Sequence, residues 1–134
     1  MITKEDEELV EIAKELIKQH YHYGKHHVAC AVRMKNNLIF KGIHLKANVG
    51  RATICAESVA LGQALTNGEK EFDTIVAVKH PSPNSESSEI MVVSPCGVCR
   101  ELISDYCSDM KVIIPGENQI AKRHIHELLP SKFE

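Results

Sequence analysis

The sequence is poor in net charge and in aromatic residues. Its 16 Lys and Arg nearly balance 18 Asp and Glu, only 4% of the residues are aromatic, and Trp is absent. A nucleic-acid-binding protein usually carries a basic patch or a groove of basic and aromatic side chains. We therefore predict that nucleic acid is not a partner of this protein.

Long apolar runs are also absent. No stretch approaches the roughly 18 consecutive apolar residues of a membrane-spanning helix, which predicts no membrane partner. The first ten residues, MITKEDEELV, lack the basic and apolar regions of a secretory signal peptide. We therefore expect a cytoplasmic protein.

The length and composition are those of a small globular protein. The chain has 134 residues, of which 43% are hydrophobic and 25% are charged. At this length one domain, spanning residues 1–134, is the expected organisation.

Hydrophobic spacing predicts an alternation of helices and strands. Apolar residues recur at helical spacing after the potential cap Thr3, which predicts a first helix over about 4–19. Further helices are predicted over 55–66, 96–106 and 124–129, and strands over 28–34, 38–45, 73–80, 110–115 and 119–122. The order α-β-β-α-β-α-β-β-α indicates an α/β fold whose central sheet is covered on both faces.

The five cysteines do not suggest a disulfide framework, because their number is odd and no secretion signal precedes them. Cys30 and Cys107 lie in apolar surroundings, and we predict that they are small buried hydrophobic residues.

The other three cysteines predict a zinc site. Cys55 and Cys96 open predicted helices, and Cys99 follows one turn after Cys96. A helix N-terminus favours a thiolate through its dipole and its free N–H groups. Three protein ligands leave one position for water, which is typical of a catalytic zinc site, with one ion per chain. A redox pair at C-x-x-C and a structural site closed by a histidine are the alternatives.

Two further residues stand next to these cysteines. Glu57 is two residues after Cys55, where a carboxylate can take the proton of zinc-activated water, and a solvated first-turn acid is the alternative. Three thiolates with Zn²⁺ carry a net charge of about −1, which calls for compensation. Arg100 is the candidate for compensating that charge through a hydrogen bond to a ligand sulfur, and a solvated helix arginine is the alternative.

The combined pattern resembles a known family. Zinc-dependent nucleobase deaminases place His or Cys before a glutamate and P-C-x-x-C further along the chain. The chain resembles the small zinc cytidine deaminases, and within them most closely the bacterial blasticidin S deaminases. The stretches that resemble them are KHHVACAVR (25–33), HLKANVGRATICAE (44–57), FDTIVAVKHP (72–81), VVSPCGVCRELISDY (92–106) and ELLP (127–130).

The resemblance implies a three-layer α/β/α sandwich with a five-stranded mixed sheet, usually assembled as a homotetramer. It implies that the three cysteines bind zinc and that Glu57 moves protons while water displaces the cytosine 4-amino group as ammonia. It also implies that backbone groups near Ala56 and Ser94 hold the base. Phe133, near the C-terminus, is a candidate to reach an active site, and a frayed tail is the alternative.

The sequence departs from cytidine deaminases where those enzymes hold the ribose. They carry N-x-E-N before the zinc cysteine, whereas this chain has His44, Lys46 and Ala47 at the corresponding positions. A site without partners for the ribose hydroxyls should bind plain cytidine poorly. His44 is a candidate for one bond to the substrate, and a surface strand histidine without such a bond is the alternative. His26 is a candidate to stack on the base, and a loop histidine without function is the alternative.

The function predicted from the sequence is zinc-dependent hydrolytic removal of the 4-amino group of a cytosine nucleoside, with blasticidin S as the expected substrate. The first alternative is a cytidine or deoxycytidine deaminase of pyrimidine salvage. The second is a zinc-stabilised nucleoside-binding module without turnover. Replacement of Glu57 distinguishes a catalyst from a binding module, because only a catalyst would lose activity.

Overall fold

In the computed structural model, which describes residues 1–133, the first helix starts at the cap that the sequence predicted. Thr3 Oγ1 accepts from the N–H of Asp6 at 3.1 Å, and Asp6 Oδ2 accepts from the N–H of Thr3 at 3.0 Å. The helix, α1, spans Lys4–His20. Its apolar stripe, which includes Leu9, Ala13 and Ile17, is fully buried against the sheet.

Six strands form one mixed sheet. They are β1 (Val28–Met34), β2 (Ile39–Ile43), β3 (Phe72–Lys79), β4 (Met91–Val93), β5 (Lys111–Pro115) and β6 (Ile120–His124). The strand order is β2-β1-β3-β5-β6, in which only the β3–β5 pairing is parallel. The antiparallel strand β4 pairs with residues 77–79 of β3, beyond the stretch that pairs with β5.

The predicted α/β sandwich with a mixed sheet is confirmed. Helices α2 (Ala56–Thr66) and α3 (Gly97–Tyr106) cover one face of the sheet, and α1 covers the other. The sequence predicted five strands, and β4 is the sixth. With only three residues, β4 is too short for alternation of polar and apolar residues to reveal it. The predicted last helix is a 3₁₀ helix over Ile125–Leu128.

The topology brings the starts of α2 and α3 together. Val28, at the start of β1, pairs with Lys79 at the end of β3, and the next pair joins Ala29 to Ile43 at the end of β2. Beyond β2, Leu45 pairs with Ile54, just before α2 begins. Helix α3 begins soon after β4, the neighbour of β3. Within the described residues 1–133, no helix is long and apolar enough to cross a membrane.

Candidate metal centre

The three predicted zinc ligands lie together at two helix N-termini. Cys55 is the N-cap residue of α2, Cys96 is the N-cap residue of α3, and Cys99 lies in the first turn of α3. The sulfurs of Cys55 and Cys96 are 3.7 Å apart, and all three sulfurs lie within 4.8 Å of one another. Tetrahedral zinc with Zn–S bonds of about 2.3 Å separates its sulfurs by about 3.8 Å. The three thiols therefore fit a zinc ion.

The three thiols differ in their surroundings. Cys99 is buried, and burial raises the pKa of its thiol. Burial also acts to raise the pKa of the Cys96 thiol, but the N–H groups of Cys99 and Val98 and the neighbouring thiols outweigh it and lower that pKa. This is the influence of a helix N-terminus that favours a thiolate ligand.

The fourth position of this site is free of a protein ligand in the described part of the chain. The cluster of metal-binding atoms there contains the three cysteines and no histidine. A structural zinc site is usually closed by four protein ligands, whereas three ligands leave room for water or substrate. The geometry therefore favours a catalytic site over the closed structural alternative.

Glu57 is buried next to the cysteines. Glu57 lies in the first turn of α2 and is 6% exposed. None of the ion pairs found within residues 1–133 includes it. Burial raises the pKa of its carboxyl, and the backbone N–H of Glu57 and the thiol of Cys99 partly offset that effect. A solvated first-turn acid would be exposed. The position is instead that of a carboxyl able to exchange protons within a sheltered site.

Arg100 lies beside the cysteines but bonds to backbone and hydroxyl oxygens. Its Nε donates to the carbonyl of Pro95 at 2.8 Å, and its two terminal nitrogens donate to Leu128 O at 3.0 Å and Ser94 Oγ at 3.1 Å. A bond to a ligand sulfur is not among these contacts. The guanidinium instead joins the loop before Cys96 to the C-terminal 3₁₀ helix, and its compensation of the zinc-site charge stays a prediction.

The residues expected to hold the base flank the cysteines. Ala56 is buried between Cys55 and Glu57, and Ser94 is exposed two residues before Cys96. Phe133 is 88% exposed, so its side chain packs against little of its own chain. The roles of Ala56, Ser94 and Phe133 in substrate binding stay predictions.

The two predicted substrate histidines lie next to each other. The ring centroids of His26 and His44 are 6.2 Å apart, and His26 Nδ1 lies 3.0 Å from the carbonyl oxygen of His44. His44 immediately precedes Leu45, which pairs with Ile54 next to the ligand Cys55. The fold therefore places His44 one residue from the strand pairing that leads into Cys55, with His26 next to His44, although His26 precedes Cys55 by nearly thirty residues.

Two residues near the site were not singled out from the sequence. Thr53 Oγ1 accepts from the N–H of Ala47 at 3.0 Å and so ties the segment after β2 to the segment before α2. Lys79 ends β3 opposite Val28. Strand alternation could have assigned Lys79 to one face of the sheet, but the neighbouring strand could not be identified without the sheet order.

Comparison with known proteins identifies a family and several relatives that the chain resembles. Residues 3–115 match the family described as "Cytidine and deoxycytidylate deaminase zinc-binding region". The chain is 49% identical over 132 residues to a protein named "Blasticidin-S deaminase" from Bacillus cereus, covering 98% of this chain and 94% of that one. It is 28% identical over 130 residues to a cytidine deaminase from Sporosarcina psychrophila, covering 95% and 90% of the two chains.

Solved structures with the same fold include two cytidine deaminases. The enzyme from Bacillus anthracis superposes with a TM-score of 0.79 at 24% identity, covering 95% of this chain and 88% of that one. The enzyme from Burkholderia pseudomallei gives a TM-score of 0.76 at 23% identity, covering 95% and 98%. At these identities the similarity establishes the fold.

Proposed function

The chain belongs to the cytidine and deoxycytidylate deaminase family, and from that premise we propose that it deaminates blasticidin S. It is a zinc-dependent hydrolytic deaminase that acts on a cytosine nucleoside. The observation that supports the chemistry best is the buried carboxyl of Glu57 beside three clustered thiols.

The roles that we propose for the site residues follow from their positions. Cys55, Cys96 and Cys99 hold the zinc ion, which when bound supplies the Lewis acidity that activates water. Glu57 takes one proton from the attacking water and delivers it to N3 of the cytosine ring. It then delivers the second proton to the 4-amino group. The C4–N4 bond breaks, ammonia leaves and a carbonyl remains at C4, so one water is consumed for each ammonia released.

Backbone groups beside the cysteines orient the base in this proposal. Ala56 lies next to Glu57 in the chain, and Ser94 lies two residues before Cys96. From these positions their peptide groups can bond to the cytosine edge and to the leaving nitrogen. The hydrogen bond from Arg100 to Ser94 Oγ supports a fixed position for this loop.

Two observations support blasticidin S over plain cytidine. The chain shares 49% identity with a blasticidin-S deaminase but 28% with a cytidine deaminase. It also carries His44 and Lys46 at the positions where the resemblance to cytidine deaminases leads us to expect Asn and Glu for the ribose. A site without those partners loses the hydrogen bonds that would select ribose.

The proposal extends to assembly and location. We propose one domain over residues 1–134, a homotetramer and a cytoplasmic enzyme. The exposure of Phe133 supports a side chain that reaches the active site of a neighbouring copy. The free thiols of the chain suit a reducing compartment.

The test is the loss of ultraviolet absorbance of blasticidin S, cytidine and deoxycytidine on incubation with zinc-loaded protein. We expect turnover of blasticidin S with a much higher kcat/KM than that of cytidine. Glu57→Gln should lower kcat by about 10²-fold or more while zinc content is unchanged, because the proton carrier is lost but the ligands remain. Glu117→Gln, which changes an exposed acid, is the matched control and should retain full activity.

The outcomes separate the functions. Strong turnover of cytidine with little of blasticidin S would overturn the substrate proposal in favour of nucleoside salvage. Zinc binding with no turnover of the three compounds, and no difference between wild type and Glu57→Gln, would overturn the catalytic role of Glu57.

A further inference from the structure

A groove lies on the face of the sheet that α1 covers, opposite to the face that holds the zinc ligands. We call it the outer groove, and its lining comes from residues 4–14, 89–92 and 115–120. Its volume is about 980 Å³. Cys55 and Cys99 pack with the core cluster under α2 and α3, whereas Val10 and Val92 of the outer groove belong to the cluster under α1. The outer groove is therefore separate from the zinc site.

The strand arrangement explains why a groove forms here. Strand β4 pairs with residues 77–79 of β3, and β5 pairs with residues 74–76 of β3. The end of β5 must therefore diverge from β3 to pass β4. Helix α1 packs mainly on β1 and β3, so it does not cover the diverging end of β5 or the turn that follows it. The space between α1, β4 and this turn is the outer groove.

The floor of the outer groove is apolar. Val10 of α1 and Val92 of β4 are buried there. Ile90 and Ile120 are half-buried and pack against the same core cluster. These aliphatic side chains offer a surface on which a hydrocarbon chain would be removed from water.

The rim of the outer groove is acidic. Five exposed glutamates and two lysines line it, namely Glu7, Glu8, Glu11, Glu89, Glu117, Lys4 and Lys14. Lys14 lies 4.0 Å from Glu11. The other ion pairs found among residues 1–133 include none of these seven residues. The rim therefore carries an excess of negative charge.

The dipole of α1 accounts for only one of these glutamates. An acid in the first turn of a helix is favoured by the positive end of the dipole, and Glu7 lies in that turn. Glu8 and Glu11 lie further along α1, and Glu89 and Glu117 belong to other segments. Carboxylates thus face the outer groove from three separate parts of the chain, and this arrangement suits a cationic occupant.

The turn that carries Glu117 is tightly packed. A Cβ atom added at Gly116 would clash with the carbonyl oxygen of Gln119. The close approach of these two residues holds the turn between β5 and β6 in one shape, so this side of the outer groove is formed before any ligand binds.

We propose that the outer groove binds an aliphatic polyamine, which is a chain of methylene groups that carries at least two ammonium groups. The methylene groups would lie on the apolar floor, and the ammonium groups would form charge-assisted hydrogen bonds with carboxylates on different sides of the rim. This inference goes beyond the proposed deamination and does not depend on it.

The shape and charge of the outer groove favour this ligand over other occupants. A volume of about 980 Å³ is in the range of small-molecule sites. A hydrated metal ion would leave the apolar floor unused. A second copy of the chain docked about a two-fold axis would place glutamates against glutamates, because such an interface joins the same patch of both copies.

The test compares two ligands of equal length and charge by calorimetry at pH 7 and low salt. They are 1,8-diaminooctane and 1,8-diamino-3,6-dioxaoctane, in which ether oxygens replace two methylene groups. We expect wild type to bind 1,8-diaminooctane more tightly by about fivefold or more, because burial of each methylene group is favourable. Added salt should weaken the binding of both, because exposed charges are screened.

Substitutions assign the binding to the rim and the floor. Glu8→Gln and Glu117→Gln should each weaken the binding of both diamines by about threefold. Ile120→Thr should reduce the difference between the two diamines. Glu15→Gln is the matched control, because Glu15 is an exposed acid of α1 that does not line the outer groove, and it should leave both affinities unchanged. Urea denaturation of each variant checks that it is folded.

Three results would overturn the inference. The first is no measurable binding of 1,8-diaminooctane to wild type at low salt. The second is equal affinity for the two diamines, which would mean that the floor takes no part. The third is an equal loss of affinity in Glu15→Gln, Glu8→Gln and Glu117→Gln, which would mean that the diamines are attracted only to the general negative charge of the helix. All three are measured without substrate, so they remain decisive whether or not the protein deaminates blasticidin S.

Discussion

Arg100 shows how a single side chain can organise the site without touching the metal ligands. Its guanidinium bonds to Ser94, Pro95 and Leu128, so it holds the loop that leads into Cys96 against the end of the chain. The planar fork of an arginine can make three such bonds at once, and a lysine ammonium at the end of a flexible chain cannot reproduce them. We infer that Arg100 is a positioning residue for the loop and for α3.

Arg100→Gln should lower kcat by about tenfold or more while zinc content stays at one ion per chain, because small displacements in an active site are costly to the rate. Steady-state kinetics with metal analysis measures both quantities.

Arg100→Lys separates the role of the positive charge from the role of the three hydrogen bonds. Restored kcat would assign the effect to charge, and an equally low kcat would assign it to the three hydrogen bonds. Arg123→Gln, at an exposed arginine, is the control. Unchanged kcat in Arg100→Gln would contradict the role.

At the scale of elements, the position of α2 depends on a glycine in β2. A Cβ at Gly42 would lie 2.7 Å from Ala60 N and 2.8 Å from Val59 Cγ1. Helix α2 therefore packs directly on the backbone of β2, which fixes how Cys55 and Glu57 approach the sheet. Any larger residue at position 42 would have to push this helix away.

Gly42→Ala should reduce the free energy of unfolding by about 1–3 kcal/mol, because the closest atom is backbone and the methyl group can be accommodated only by moving α2. Urea denaturation of the zinc-loaded protein measures this change. Gly62→Ala provides the comparison, because no atom lies within 4 Å of its added Cβ and the residue is inside α2. It should stabilise the protein by about 0.5–1 kcal/mol. The same sign of change in both variants would contradict this explanation.

At the scale of the whole molecule, one ion network connects the layers. Asp6 of α1 is fully buried and accepts from Arg33 of β1 at 3.0 Å and from Lys122 of β6 at 2.6 Å. Arg33 also pairs with Asp73 of β3 at 3.0 Å. Arg33 lies near the end of β1 opposite to the end beside the zinc site. The network thus joins α1 to three strands away from the chemistry.

Asp6 should make the folded protein sensitive to acid. Burial raises the pKa of its carboxyl, but hydrogen bonds from Lys122, Thr3 N and Arg33 outweigh burial and lower the pKa from 3.8 to about 2. A carboxyl with a lowered folded-state pKa stabilises the protein above its unfolded-state pKa. This contribution, about 2 kcal/mol, is lost as the pH falls from about 4 to about 2.

Asp6→Asn tests the network, because it leaves Arg33 and Lys122 without their buried partner. We expect a loss of about 3–5 kcal/mol in the free energy of unfolding at pH 7. Urea denaturation of both proteins across pH 2–7 should show the difference shrinking below about pH 4. Any zinc loss in acid affects both proteins and largely cancels in the difference. Glu11→Gln removes an exposed acid, 71% accessible and 4.0 Å from Lys14, and should change stability by less than about 0.5 kcal/mol. A constant difference at all pH values would contradict this role of Asp6.

Features that depend on neighbours in the chain were predictable from the sequence. Thr3 caps α1 as predicted, because a cap bonds to a residue only three positions away. Asn37 adopts a φ of 72° between the strands predicted over 28–34 and 38–45, and Gly68 has a φ of 80° just beyond the helix predicted over 55–66. The zinc site was also predictable. The sequence places three cysteines at the starts of two predicted helices, where the helix dipole and the free N–H groups favour thiolate ligands.

The sequence by itself determined the helices, the longer strands, the three cysteines and the neighbouring glutamate, since each follows from local spacing and side-chain chemistry. Only the tertiary structure decided which distant residues meet. It paired Lys79 with Val28, tied Arg100 to Leu128, and joined Asp6 to Lys122 across 116 positions. These contacts depend on strand order and register, which the packing of the whole chain selects and no short stretch encodes.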